Sequence, residues 1–265
     1  MKYKKNQDFK TEDGNNMPMR LNKYLSDAGV CSRREADRLI EAGKVMIDGQ
    51  IAQMGMKVNP YQKVLVNRKP VKKEVGMILL AVNKPVGVVC TAEKKEKKNI
   101  INFMKYPHRI YPIGRLDKDS EGLLLMTNNG DIVNKIMRAG NYHEKEYIVT
   151  VNRPITDVFL KKMSEGVPIL DTITRACKVE SVGKYKFKII LTQGLNRQIR
   201  RMCEYFDYKV VALKRIRIMN IELGKLKVGA YREVTEQEKN RLYAMIQESA
   251  NTISYDNKGW EQNEE

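Results

Sequence analysis

The sequence has few of the residues that usually build metal sites and disulfide frameworks. It contains only 2 histidines and 4 cysteines, and the cysteines are scattered, at Cys31, Cys90, Cys177 and Cys203. A structural zinc site needs clustered thiols and imidazoles, commonly with a Cys-x-x-Cys pair, and none is present. The sequence therefore predicts no metal site and four reduced, mostly buried thiols.

Long hydrophobic runs are also missing. Residues 77–82 form one of the longest strongly apolar stretches, far short of the roughly 20 residues that a membrane helix requires. Charged residues near Met1 are not followed by the apolar segment of a secretory signal. We therefore expect a cytoplasmic protein with no membrane partner.

Several catalytic signatures are absent as well. The sequence has no Gly-x-Gly-x-x-Gly turn, no phosphate-binding loop and no His-x-Glu with Cys-x-x-Cys. Neither histidine stands in a setting typical of a Ser-His-Asp triad. This leaves carboxylate, phenol and guanidinium groups to carry any chemistry, and it predicts no cofactor.

Positive charge is what the sequence has in excess. Its 49 Lys and Arg against 32 Asp and Glu give a formal net charge of +17. Such a surplus favours a polyanionic partner, of which nucleic acid is the commonest soluble one. A merely solubilising surface stays open, and charge does not separate RNA from DNA or from an anionic membrane. The hydrophobic fraction of 42% is enough for a folded core.

The chain divides into segments of different texture. We predict a flexible basic leader at 1–18, a small domain at 19–73, a larger domain at 77–250 and a disordered acidic tail at 251–265. Strand and helix patterns mix in the larger domain without regular alternation. This favours an α+β fold with flanking helices on a largely antiparallel sheet.

The small domain has the pattern of two short helices followed by a hairpin. Ser32 and Glu35 have the form of a capping box, and Asp48-Gly49 between two apolar runs is a strong hairpin signal. This pattern resembles the S4 RNA-binding domain (αL-like). In that resemblance, five basic side chains would face phosphates: Arg20, Lys23, Arg33, Arg34 and Arg38. The alternative is a basic face that is simply solvated.

Two polar segments of the larger domain could carry chemistry. Asp117 lies where an extended segment breaks into the polar loop 117–122, although most aspartates there only form turns. In the second segment, Asn196 can cap a helix whose Arg197, Arg200 and Arg201 share one face. Three guanidinium groups beside a helix N-terminus suit a phosphate, and a solvent-facing basic helix is the alternative.

These segments resemble the motifs of RNA pseudouridine synthases. Residues 114–124 are similar to the motif that contains the catalytic aspartate, residues 145–147 to the second motif, and residues 197–200 to the third. With the S4-like domain, four features agree in order and spacing from about residue 19 to 248. The chain thus resembles the RsuA family, and residues 143–147 and 194–204 look closest to the branch of the large-subunit ribosomal RNA synthase F.

The resemblance implies a role for each matching residue. Asp117 would be the catalytic carboxylate, kept ionised by Arg200, and Tyr147 would stack on the target uracil. Arg115 would enter the space that the flipped base vacates. Asn196, Arg197 and Arg201 would contact RNA. The implied substrate is large-subunit (23S) ribosomal RNA, with a transfer RNA as an additional candidate, and nothing requires more than a monomer.

Two other classes of function stay open on the sequence alone. A non-catalytic S4-type RNA-binding protein would share the basic charge, but it would not need Asp117, Tyr147 and Arg200 together. A carboxylate hydrolase could pair Asp117 with Asp119 or Glu121, but it would leave the basic charge unexplained. Release of free uracil would distinguish hydrolysis from isomerisation.

Overall fold

The computed structural model describes residues 17–72, 76–93 and 95–247. The predicted acidic tail and nearly all of the predicted leader lie outside these residues. The chain forms two compact units, which divide between Gly76 and Met77. Within the described part of the chain, no helix is both long and apolar enough to cross a membrane.

The first unit packs two helices against short strands. Its elements are β1 (Met19–Arg20), α1 (Leu21–Asp27), α2 (Arg33–Glu41), β2 (Val45–Ile47), β3 (Gln50–Ile51), β4 (Lys57–Val58), β5 (Val64–Val66) and β6 (Lys69–Pro70). β1 pairs with β4, and the other four strands form a sheet in the order β3-β2-β5-β6. Buried Leu21, Leu25, Ala36 and Ile40 join the helices to the sheet.

Local signals in this unit are confirmed with one exception. Asp48 and Gly49 both have positive φ, as the predicted hairpin requires. The Ser32 hydroxyl accepts a hydrogen bond from the Glu35 backbone N–H at 3.2 Å. The capping box predicts that the Glu35 side chain returns this bond, but it instead pairs with Arg38, also at 3.2 Å. An exposed cation within one helical turn thus takes the carboxylate away from the helix end.

The predicted basic face is largely exposed. Arg20, Arg33, Arg34 and Arg38 are all exposed, whereas Lys23 is half-buried and pairs with Asp27 at 2.7 Å. Surface ion pairs such as Lys23–Asp27 contribute about 0–1 kcal/mol, so they do little to oppose a competing phosphate. The first unit therefore presents four of the five basic side chains to solvent.

The second unit is built on one large sheet. The strands of this unit are β7 (Leu79–Lys84), β8 (Tyr111–Ile113), β9 (Glu121–Thr127), β10 (Lys145–Val151), β11 (Pro168–Ile169), β12 (Thr172–Ile173), β13 (Lys178–Gly183), β14 (Lys186–Leu191), β15 (Val210–Ile218), β16 (Ile221–Glu222) and β17 (Tyr231–Glu233). β11 and β12 form a separate two-stranded sheet, and the other nine strands form the large one. The helices of the unit are α3 (Ile100–Met104), α4 (Gly130–Met137), α5 (Asp157–Glu165), α6 (Gln198–Tyr205) and α7 (Glu236–Ile246).

The sheet runs in the order β13-β14-β10-β15-β9-β7-β17, with β8 beside β9 and β16 beside β15. Among the described residues, β9 and β15 are its one parallel pair. Helices α4 and α7 pack on one core cluster, which includes Leu123, and α5 and α6 pack on another, which includes Phe187. The predicted α+β class with a largely antiparallel sheet is confirmed.

The parallel pair depends on a glycine. Gly122 has φ +106, and a Cβ atom there would lie 2.2 Å from the backbone oxygen of Arg215. No other residue type fits this approach without moving the backbone of β9 or β15. Gly122 therefore lets β15 lie directly beside the strand that follows Asp117.

Candidate active site

The loop that carries Asp117 is held at its middle and its end. It connects β8 to β9, and its turn is closed by a hydrogen bond from the Ser120 N–H to the Asp117 carbonyl at 3.1 Å. The Lys118 carbonyl accepts a 2.7 Å bond from the Gly87 N–H. The Asp117 side chain is 36% exposed. A carboxylate on a fixed loop thus stays accessible to a large substrate.

The cation next to Asp117 is Arg197. Its Nη1 lies 3.5 Å from Asp117 Oδ2, and its Nη2 lies 3.4 Å from Asp119 Oδ2. The motif predicts that Arg200 pairs with Asp117, but Arg200 Nη2 lies 3.2 Å from Asp119 Oδ2. Arg200 also donates to the Asp119 carbonyl at 3.1 Å. The difference arises because Arg200 lies on the buried face of α6, whereas Arg197 lies at the surface before the helix.

Asn196 does not cap α6, contrary to expectation. The N-cap is Arg197, in the left-handed conformation with φ 50 and without a side-chain cap bond. Asn196 instead accepts hydrogen bonds from Arg201, at its backbone oxygen (3.1 Å) and at Oδ1 (3.4 Å). The three arginines therefore do not form one phosphate cradle. Arg197 binds the Asp117 loop from outside, Arg200 holds it from the interior, and Arg201 stays with Asn196.

A buried lysine that the sequence motifs do not reveal supports the loop from beneath. Lys84 ends β7 and is fully buried, and its Nζ donates to the carbonyl oxygens of Pro85 and Ser120, both at 2.8 Å. Burial lowers the pKa of Lys84, whereas the nearby Cys90, Asp117 and Asp119 side chains oppose that shift. In the sequence, Lys84 appears only as a lysine at the end of an apolar run. The same pattern occurs wherever a buried strand ends at the surface, so it does not indicate a buried lysine.

Tyr147 lies two strands away from the strand that follows Asp117. In β10 it pairs with Arg215 of β15, and Arg215 pairs in turn with Gly122 of β9. Neighbouring strands are about 4.8 Å apart, so the backbones of Tyr147 and Gly122 are about 10 Å apart. The Tyr147 side chain is half-buried and packs on the core cluster of α5 and α6. Arg115 is exposed at the start of the loop.

Lys145, two residues before Tyr147, is a second buried lysine. Its Nζ donates to the His143 carbonyl at 3.2 Å. Burial, with a smaller contribution from the Arg215 charge, lowers the pKa of Lys145 to about 8. At neutral pH the fold therefore holds a charged group at a cost in stability.

The pH dependence of stability should reveal this cost. The folded pKa of Lys145 is about 8 against the ordinary 10.5, so the unfolded state binds more protons between these values and stability rises with pH across this window. We expect Lys145→Met to be more stable than the wild type at pH 7, by up to about 3 kcal/mol. The difference should vanish near pH 10.5 in urea unfolding series.

Lys188→Met provides the control on the neighbouring strand β14. Its ion pair with Glu180 raises the pKa of Lys188, so its contribution should stay constant from pH 8 to 10. A stability difference for Lys145→Met that does not change with pH would contradict the assigned cost.

Comparisons with known proteins identify the family of the chain. The family described as RNA pseudouridylate synthase matches residues 78–205, and the S4 domain matches residues 19–60. The chain is 51% identical to "Dual-specificity RNA pseudouridine synthase RluF" of Escherichia coli (strain K12), over 89% of this chain and 82% of that protein. It is 35% identical to "Ribosomal large subunit pseudouridine synthase B" of Bacillus subtilis (strain 168), over 88% of this chain and 99% of that protein.

A solved structure shares the architecture. The "Crystal structure of pseudouridylate synthase" superposes with a TM-score of 0.62 at 25% sequence identity, covering 84% of this chain and 99% of that one. The identity to the E. coli synthase extends across both units of the chain. The chain therefore belongs to the RsuA family of RNA pseudouridine synthases with an S4 domain.

Proposed function

We propose that this protein isomerises specific uridines to pseudouridine in large-subunit (23S) ribosomal RNA and also accepts a transfer RNA, with Asp117 as the catalytic carboxylate. The single observation that carries the proposal is an accessible Asp117 carboxylate on a loop fixed by Lys84, Arg197 and Arg200. The name of the B. subtilis relative refers to the large ribosomal subunit, and the words "dual-specificity" in the name of the E. coli relative support a second RNA class.

The reaction needs no external reagent. The bond between uracil N1 and ribose C1′ breaks, the base turns, and a bond forms between C5 and C1′. The C5 hydrogen leaves as a proton and N1 gains one, so atoms and electrons balance within the substrate and water. Asp117 acts as a nucleophile, at ribose C1′ or at uracil C6, or stabilises the charge that develops.

The other residues prepare the base and the carboxylate. Tyr147 stacks on the target uracil, which contributes about 1–3 kcal/mol, and its phenol helps to move a proton during the rearrangement. Arg200 holds the Asp117 loop from the interior through Asp119 and Ser120. Arg115 fills the space left by the flipped base, whose extrusion costs a few kcal/mol. Asn196, Arg197 and Arg201, all near the start of α6, contact the RNA backbone.

The direct test uses purified protein with unmodified transcripts of large-subunit ribosomal RNA and of transfer RNAs. We expect pseudouridine at defined uridines in both classes, located by chemical mapping at single-nucleotide resolution. Modification of transfer RNA alone would contradict the ribosomal assignment. Tight binding without pseudouridine on any RNA offered would favour a non-catalytic S4-type binder.

The basic face of the first unit should determine the salt dependence of RNA binding. Replacing Arg33, Arg34 and Arg38 together with glutamine in the full chain removes three exposed charges and leaves the core of the unit intact. The plot of log K against log salt concentration has a negative slope, whose magnitude falls by about 0.7–0.9 for each cation–phosphate contact that is lost. For three lost contacts we expect the magnitude to fall by about 2. The single-turnover rate at saturating protein should stay unchanged.

Arg241→Gln is the matched control, because Arg241 is exposed on α7 in the second unit. Its slope should equal that of the wild type. An unchanged slope in the triple variant would remove the phosphate role that we give to the first unit.

A further inference from the structure

Three buried cations hold the Asp117 loop through backbone oxygens. Arg215 Nη1 donates to the Arg115 carbonyl at 3.4 Å, Arg200 Nη2 to the Asp119 carbonyl at 3.1 Å, and Lys84 Nζ to the Ser120 carbonyl at 2.8 Å. They come from β15, α6 and β7, so three separate elements converge on one loop. Of these three cations, Arg215 is the one that holds the side of the loop preceding Asp117.

Arg215 is the most unusual of the three. Its side chain is fully buried, with 1% of the residue exposed, and its Nε donates to the Leu123 carbonyl at 2.7 Å. Among the described residues, Nη2 has no hydrogen-bond partner, and no carboxylate lies within ion-pair distance of the guanidinium. Burying a charge without a carboxylate partner is unfavourable, so stability of the core alone does not account for an arginine at this position.

The position of Arg215 depends on the close contact between β9 and β15. Gly122 permits this contact, because any Cβ atom at Gly122 would collide with the Arg215 backbone. The guanidinium can then span from Leu123, at the start of β9, to Arg115, on the other side of Asp117. One side chain thereby links the two ends of the segment that contains Asp117.

We propose that Arg215 is a positioning residue for the isomerisation. It fixes the distance between Arg115 and Leu123, and thereby the place of the Asp117 carboxylate. Because Arg215 donates to carbonyl oxygens, it leaves the Asp117 carboxylate oxygens available to the substrate. Its positive charge stabilises negative charge on that carboxylate and on the detached uracil. Because Arg215 is buried, it acts through the loop and not by direct contact with the RNA. The role in catalysis rests on the proposed function of Asp117.

The test replaces Arg215 with methionine in the full chain. Misplacement of a catalytic group by about 1 Å costs about 100-fold, so we expect the single-turnover rate to fall about 100-fold and the Kd for RNA to change less than twofold. Backbone hydrogen exchange of residues 114–122 should become faster, whereas exchange in α7 should stay unchanged. Arg215→Lys keeps the charge and one donor group, so it should recover part of the rate.

Arg217→Met is the matched control. Arg217 lies two residues further along β15 and pairs with Glu144 and Glu146, at 2.9 and 2.7 Å, rather than with the Asp117 loop. It should keep the wild-type rate and the slow exchange of residues 114–122. An equal loss of rate in Arg217→Met, or an Arg215→Met protein with reduced affinity and full rate, would overturn the positioning role.

Two readouts separate this inference from the proposed function. If Asp117 is not catalytic, Asp117→Asn stays active, yet Arg215→Met still accelerates exchange of residues 114–122. If Arg215 does not hold the loop, that exchange is unchanged whatever Asp117 does. If Arg215→Met does not fold, the same measurements on Arg215→Lys decide, and wild-type rate and exchange there would overturn the role of the double contact.

Discussion

Replacing Asp117 with asparagine is expected to lower the single-turnover rate of pseudouridine formation by at least about 10³-fold, because an amide cannot act as the nucleophile. Asp117 is 36% exposed and forms one ion pair among the described residues, at 3.5 Å to Arg197. The free energy of unfolding should therefore change by less than about 0.5 kcal/mol. Tritium at uridine C5 measures the rate, since it leaves when the C5–C1′ bond is complete.

Asp119→Asn is the matched control. Asp119 is also a loop carboxylate, is 48% exposed and pairs with both Arg197 and Arg200, but no nucleophilic role is proposed for it. We expect a loss of rate of about 10-fold or less, from weaker fixation of the loop. A larger loss in Asp119→Asn than in Asp117→Asn would move the nucleophile to Asp119.

Arg200→Met is expected to lower the rate by about 10²–10³-fold while the Kd for RNA stays within about threefold. Arg200 is 7% exposed, so it cannot contribute much to an RNA surface. The substitution removes its bonds to the Asp119 carboxylate and carbonyl, to Ser120 Oγ and to the Val210 carbonyl. Stability should fall by about 2 kcal/mol, because the buried acceptors at Ser120 and Val210 lose a charged donor.

Arg201→Met separates this effect from general loss of positive charge. Arg201 follows directly in α6, but its side chain donates hydrogen bonds only to Asn196 among the described residues. We expect weaker RNA binding with a wild-type rate at saturation. The role of Arg200 would be contradicted if Arg200→Met showed the same pattern, a pure loss of affinity.

Local features of the fold were predictable because their causes are local. The Asp48-Gly49 hairpin requires positive φ at both positions, and the two residue types that tolerate it stand there. Thr235 and Glu238 stand at the spacing of a capping box, and in the structure each side chain bonds to the other's backbone N–H. Residues 123–126 form a continuous apolar run, which is typical of a buried strand, and they lie in the buried part of β9.

The interior side of the site was not predictable, because its contacts join distant parts of the chain. Lys84 reaches the Ser120 carbonyl 36 positions away, and Arg215 reaches the carbonyls of Leu123 and Arg115 across 92 and 100 positions. Their acceptors are backbone oxygens, which carry no sequence signal. A basic residue within a largely apolar strand is therefore the only trace of such a contact in the sequence.

The exchange of partners between Arg197 and Arg200 has a similar cause. Helical spacing predicted one shared face, but the helix starts only at Gln198, and Arg197 adopts a left-handed conformation outside it. Arg200, which matches the aspartate-pairing arginine of the family motif, thus turns to the interior. Arg197, three positions earlier, meets Asp117. The motif identified the segment that meets the Asp117 loop and left the partner of each arginine undetermined.

The product balance of the reaction tests the central claim most directly. Ribosomal RNA incubated with the wild-type protein or with Asp117→Asn is digested to nucleosides, and uridine, pseudouridine and free uracil are quantified. We predict that the wild type loses as much uridine as it gains pseudouridine and releases no uracil, and that Asp117→Asn forms no pseudouridine. Free uracil from the wild type, or equal pseudouridine from both proteins, would contradict the assignment.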